Sequence, residues 1–352
     1  MARRVRSSGP LDLRSQAILR AVIEEYVTTA APVGSHALVE RYRFGVSSAT
    51  VRGVLAELEA SGLLSHPHTS AGRVPTEQGY RYYVESIVDS VPLPPVEQLM
   101  IRHQFGQVEF ASEHWFRLAA TTLASVTRSA GLATPAKPTS AHVRRVDLVG
   151  ISDRLASLIL VLREGALKQL LVNLDAPTPQ DDLSTVANRL NDLLEGLTAR
   201  EAAAAIDRLD PDPTLDLARR VGERVVRALQ EFDSAAIEEL FSDGLLNVMA
   251  APEFAHSEKL RRVFAALENR AYLAELIGAV AGSGTVRIYI GSENPAEEMA
   301  DVSLVLAPYG NPSRAVGVVG VLGPTRMAYP QAIGTVRFVS GLMNELIDHL
   351  YA

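Results

Sequence analysis

Between Ser47 and Thr76 the apolar pattern changes period twice, and this stretch constrains the fold more than any other in the chain. Ser47 can cap a helix running to about Ser61, in which Val51, Leu55 and Leu58 share one side at ~100° per residue. Gly62 closes it. Leu63-Leu64-Ser65 and Val74-Pro75-Thr76 then read as two short strands around the polar loop His66 to Arg73. A helix opens at Thr76-Glu77 and runs to about Val88. Upstream, residues 12–29 carry a helical stripe (Ile18, Val22, Tyr26), Ala31-Pro32-Val33-Gly34 breaks it, and Ser35 to Tyr42 forms a second helix. Three helices, strand, loop, strand, helix is the order of a winged helix-turn-helix. Its third helix enters a major groove and its hairpin is the wing.

The rest of the chain predicts an α+β multidomain protein. Val91-Pro92-Leu93-Pro94-Pro95 is a stiff linker. A long helix is expected from Val96 to Gly131, then a Pro-containing connector over Ala133 to Ser140. Residues 142–173 alternate as an antiparallel meander with turns at Asp153-Arg154 and Glu164-Gly165. Residues 181–250 read as helical, with stripes at Leu183, Val186, Leu190, Leu194 and at Val221, Val225, Leu229. After a helix near 258–279, strands return at 286–290, 302–306 and 315–322, and a last helix spans Pro330 to Leu350. Strands on both sides of a helical block imply one sheet interrupted by an insertion.

The chain has 352 residues and a net charge of -7, which speaks against a nucleic-acid coat over the whole surface. The charge is uneven: residues 1–90 hold 10 Arg against 9 acidic residues, and the remainder holds 24 basic against 32 acidic. The absence of cysteine removes disulfides, thiolate metal sites and thiol catalysis. No phosphate loop, HExxH or GxSxG occurs, and Gly317-x-x-Gly320-x-x-Gly323 fails the dinucleotide fingerprint. These absences point away from an enzyme, and no cofactor or metal is implied. No apolar segment approaches the ~20 residues of a membrane span, and no signal-type apolar run follows the first arginines, so a cytoplasmic protein is expected.

The third helix carries the candidate site. Ala49 and Gly53 lie opposite its buried side, flanked by Thr50 and Arg52, so the outward face is small at its centre. Small residues admit close approach to base edges, and Arg can pair bidentately with guanine. Ser47 and Ser48 at the helix start can hold a phosphate. On the loop, His68, Thr69, Ser70 and Arg73, near His66, offer polar and cationic groups for the DNA backbone. Two readings stay open for Arg81, phosphate contact or none, whereas Tyr80 and Tyr83 are expected to pack. Arg326 is open in the same way, as an anion contact or a structural residue at a strand–helix turn.

Several strings are familiar. Ala31-Pro32-Val33-Gly34-Ser35, Ser47-Ser48-Ala49-Thr50-Val51-Arg52 and Pro67-His68-Thr69-Ser70-Ala71-Gly72-Arg73-Val74-Pro75-Thr76 resemble the HrcA family of heat-inducible transcription repressors. So do Ile290-Gly291-Ser292-Glu293-Asn294 and Gly323-Pro324-Thr325-Arg326-Met327, so the likeness spans essentially the whole chain. It departs at Gly53, where the family is expected to carry Asn or Asp. The resemblance implies a winged helix over 1–90, a linker over 91–104, a GAF-like domain over 105–175 and 250–352, and an inserted dimerising domain over 176–249. It further implies a homodimer on double-stranded DNA at the CIRCE inverted repeat, repression of the groESL and dnaK operons, and upkeep by the chaperonin GroEL. A repressor that senses a metabolite through the GAF-like domain is the alternative.

Overall fold

The computed structural model describes residues 11–67, 72–87, 92–107, 112–138, 140–163, 165–209, 215–234, 240–254, 257–311 and 315–350. The chain forms two compact units. One takes residues 1–136, 239–310 and 317–352, and the other takes 137–238 and 311–316.

The first unit begins with α1 (Leu13–Thr29), α2 (Ser35–Arg41) and α3 (Ser48–Ala60). Asp12 caps α1 by accepting a hydrogen bond from the Ser15 amide at 2.8 Å, and bonding to Ser15 lowers its carboxyl below the usual range. Strands β1 (Leu64–Ser65) and β2 (Val74–Pro75) pair antiparallel, and α4 (Glu77–Tyr82) runs on into a π-helical turn over Tyr83–Ile87. Ile18, Leu19 and Val22 of α1 bury against a core that includes Leu38, Val51, Leu55 and Leu58. The helical period read over 47–61 is thus the buried face of α3.

Next come α5 (Pro95–Gly106), α6 (Ser112–Thr127) and β3 (Ala130–Ala133). The single helix expected over 96–131 is therefore two helices and a strand. Gly131 explains the strand's place: a Cβ there would lie closer than 3.0 Å to the Ala120 carbonyl, so α6 lies directly on β3. Ala-Gly-Leu-Ala contains no β-branched residue, and local preference gives no hint of a strand. The expected linker over 91–104 is also shorter, because α5 begins at Pro95 and buries Ile101 and Phe105.

The second unit starts at β4 (Lys137–Pro138). It then builds a three-stranded antiparallel sheet from β5 (Val143–Ser152), β6 (Leu155–Leu162) and β7 (Leu167–Asn173), in that order. Helices α7 (Gln180–Leu194), α8 (Ala199–Asp207) and α9 (Asp216–Ser234) complete it. Val146, Leu158, Leu160 and Val172 share one core with Leu183, Leu190, Val221 and Val225. The helical stripes expected over 181–250 are thus intramolecular core. The boundary at 175/176 moves as well: the meander forms a sheet of its own with these helices and does not join the larger one. Two side-chain amides on α7 stand in for a strand beside β5. Asn191 bonds the Val146 amide and carbonyl at 2.7 and 2.8 Å, and Gln180 bonds the Gly150 amide and the Leu148 carbonyl at 2.8 Å each.

The chain returns to the first unit with β8 (Phe241–Asp243), α10 (Leu245–Met249), α11 (Ser257–Glu268), α12 (Arg270–Ala281), β9 (Arg287–Ile290), β10 (Val302–Asn311), β11 (Ala315–Pro324) and α13 (Tyr329–Leu350). Asn269 divides the expected 258–279 helix by capping α12, accepting from the Ala271 and Tyr272 amides. The main sheet runs β8-β3-β11-β10-β9. Among the described residues no helix is long and apolar enough to cross a membrane.

Candidate nucleic-acid interface

Helix α3 presents the surface that its sequence implies. Val51, Val54, Leu55 and Leu58 are buried, while Ala49, Thr50, Arg52 and Gly53 are exposed. The Ser47 hydroxyl accepts from the Thr50 amide at 3.2 Å and lies 3.0 Å from the Thr50 hydroxyl. Ser48 is half-buried, with its hydroxyl 3.1 Å from that of Ser35 at the start of α2, so the N-termini of the two helices adjoin. No acidic residue sits in the first turn of α3. Arg52 has no carboxylate partner among the described residues, and its charge is available to a ligand. Two residues missed in the sequence share this surface. Ala56 continues the small face one turn on from Arg52, and exposed Arg43 sits in the turn leading to Ser47. A basic residue just ahead of the helix cap was the available signal.

Gly53 has open space where a side chain would be: a Cβ there meets nothing within 4 Å. Packing therefore does not require glycine. Gly53→Ala is expected to stabilise the protein by up to about 1 kcal/mol through helix propensity, read as a raised midpoint in chemical denaturation. A lowered midpoint would reveal a constraint on that backbone.

The hairpin differs from its expected form. His68, Thr69 and Ser70 lie outside the described residues. Arg73 was expected to offer its charge to phosphates. Instead its side chain is only 18% exposed and its Nη2 pairs with Glu59 Oε2 at 2.8 Å. Its Nη1 lies 3.1 Å from His66 Nε2. The Arg73 backbone also exchanges two 2.8 Å hydrogen bonds with Val33, tying the hairpin to the α1–α2 connection. A Cβ on Gly72 would run into the Val33 backbone, so only glycine allows this approach. Arg73 thus braces the hairpin, with its charge paired to Glu59.

Helix α4 settles the other open residues. Tyr80 and Tyr83 are buried, and burial pushes both phenols up, Tyr83 to about 12. Arg81 is half-buried and its guanidinium is engaged: Nε donates to Glu293 Oε1 at 2.9 Å and Nη2 to the Ile288 carbonyl at 2.8 Å. Hydrogen bonding to Glu293 raises its pKa further. Glu77 accepts from the Ser292 amide at 3.1 Å and from the Ser292 hydroxyl. Arg326 pairs with Glu253 and donates to the Val27 carbonyl at 3.0 Å. Ser292, Glu293 and Arg326 all come from strings that carried the family resemblance, and each grips the N-terminal helices.

The family model described as "HrcA protein C terminal domain" matches residues 113–333. A protein of Chloroflexus aurantiacus named heat-inducible transcription repressor HrcA is 40% identical over 356 residues, covering 98% of this chain and 96% of the relative. This chain belongs to the HrcA family. A Thermomicrobium roseum protein of the same name is likewise 40% identical, over 97% of each chain. A crystal structure of a hypothetical protein at 2.2 Å resolution shares the fold, with a TM-score of 0.57 at 21% identity over 96% of this chain and 98% of the other. The HrcA family is one of transcription repressors rather than enzymes.

Proposed function

We propose that this chain is a winged-helix repressor of chaperone operons that binds an inverted repeat as a homodimer. The observation that carries the reading is the exposed α3 face: Ala49 and Gly53 at its centre, with Arg52 beside them, unpaired among the described residues, and no acidic residue in the first turn. Small residues let the helix enter a groove, and the free guanidinium can pair with a guanine edge. The hairpin braced by Arg73 stands in the wing position, and the sheet β8-β3-β11-β10-β9 supports the GAF-like reading. The family resemblance supports the CIRCE element as operator, groESL and dnaK as targets, GroEL as the factor that maintains activity, and the bacterial cytoplasm as the site of action.

A homodimer needs a surface, and the open face of the β5-β6-β7 sheet supplies one. Val149, Ile151, Leu167 and Leu171 are 46–63% exposed on it. Such a cluster of large apolar side chains marks an interaction face. The central test is a gel shift with the inverted repeat against a half-site and scrambled DNA, with and without GroEL. Preference for the repeat, strengthened by GroEL, is expected, and equal affinity for all three DNAs would refute the reading. Arg52→Ala is expected to cost ~1–3 kcal/mol on the repeat and to relax specificity at one base position. An equal loss on scrambled DNA would make Arg52 a phosphate contact instead.

A further inference from the structure

A cavity of about 680 Å³ lies within the first unit, between the C-termini of α1 and α6, α10, and the turn from β11 to α13. Sites for small organic ligands usually span ~300–1,000 Å³, so it has room for much more than an inorganic ion. Its lining includes two arginines, Arg128 and Arg326, and no acidic residue. Val27, Pro324 and Met327 give it an apolar wall, and Asn247 adds an amide.

The arginines differ in state. Arg326 spends Nε on Glu253 and Nη1 on the Val27 carbonyl, while Nη2 enters neither bond. Arg128 is exposed and has no carboxylate partner among the described residues. Its backbone is left-handed, at φ +53°, just past the end of α6. Glycine or asparagine usually takes that position, because a side chain there is unfavourable. Arginine at such a residue, lining a cavity in which the nearest carboxylate, Glu253, is engaged by Arg326, fits a role in binding better than one in folding.

We infer that this cavity binds a small organic anion, with a carboxylate or phosphate held by Arg128 and Arg326 and an apolar body against Val27 and Met327. The anion competes with Glu253 and the Val27 carbonyl for Arg326. Because Val27 lies in the last turn of α1, occupancy bears on the helices that carry α3. That coupling to DNA rests on the DNA-binding reading above, whereas the binding itself does not.

Calorimetric titration of the full chain tests it, with phenyl phosphate and benzoate as probes and inorganic phosphate as the comparison. At least one organic probe is expected to bind more tightly than inorganic phosphate. Arg128→Gly suits the left-handed backbone and should fold with an unchanged or raised thermal midpoint. It is expected to weaken the organic probe at least about tenfold, while Arg128→Lys stays within about threefold. Failure of both organic probes to bind, or equal binding by Arg128→Gly, overturns the proposal. In a parallel gel shift, the bound probe should change affinity for the inverted repeat in the wild type but not in Arg128→Gly. Binding without that change refutes the coupling alone. A wild type that fails to prefer the repeat without any probe refutes the DNA-binding reading and leaves the calorimetry standing.

Discussion

Leu171→Asp is expected to turn the proposed dimer into a monomer and to cost roughly a thousandfold or more in affinity for the inverted repeat. Leu171 is 56% exposed on β7, beside other large apolar side chains of the same sheet face. Burying an unpaired carboxylate there against a second copy costs several kcal/mol, which a modest interface cannot absorb. The loss on DNA follows from geometry. One recognition helix reads a few base pairs, and binding by single heads falls toward the ~10⁻⁴–10⁻⁶ M of non-specific contact, against ~10⁻⁸–10⁻¹¹ M for specific complexes. Light scattering coupled to gel filtration reads the mass, and the gel shift reads the affinity. The competing surface is the α5 stripe of Val96, Leu99 and Met100, also exposed. Leu99→Asp should leave a dimer. A dimeric Leu171→Asp with a monomeric Leu99→Asp would move the interface to α5.

The second large effect is on stability. Gly79→Ala is expected to destabilise the N-terminal helices by about 3 kcal/mol, at the upper end of overpacking costs. A Cβ at Gly79 would sit closer than 3.0 Å to the Leu63 carbonyl oxygen. That oxygen cannot retreat, because it accepts from the Thr76 amide at 3.1 Å, and the Thr76 hydroxyl donates to the neighbouring Gly62 carbonyl at 2.6 Å. The hairpin and the start of α4 would have to part. A shifted urea midpoint, with DNA binding lost at lower temperature than in the wild type, is the expected result. An unchanged midpoint would mean that the turn relaxes freely. Gly53→Ala, with the opposite expected sign, is the natural control.

The helices and strands described over residues 11–87 were legible because local signals agreed with tertiary packing. Ser47 caps α3, Val51, Leu55 and Leu58 bury at helical spacing, and the two strands flank a polar loop. Consistency of that kind is what makes a segment readable from sequence. Legibility failed where distant residues decide. Arg73 reads as a free cation until Glu59 is brought 2.8 Å from it. Arg81 stays open between phosphate contact and none until Glu293, far along the chain, takes it. Ala130–Ala133 is a strand only because β11 and β8 lie on either side of it. The meander was visible as three strands, but alternation says nothing of which sheet they join. Its burial against α7–α9 rather than against β3 and β11 depends on packing that no local pattern encodes.

The amides of Asn191 and Gln180 bear on how assembly stops. A strand with unpaired N–H and C=O groups at its margin recruits another strand, which exposes a fresh margin, so growth has no natural end. Here the Val146, Leu148 and Gly150 backbone groups of β5 are already taken by α7. At the opposite margin, the Leu171 carbonyl of β7 accepts from Arg224 at 3.2 Å. Helix α7 thus covers the β5 rim, and the exposed apolar residues of the open face remain for a partner. A patch that pairs with its own copy is used up in a single two-fold contact. On the proposed dimer reading, this arrangement favours pairs over open-ended growth.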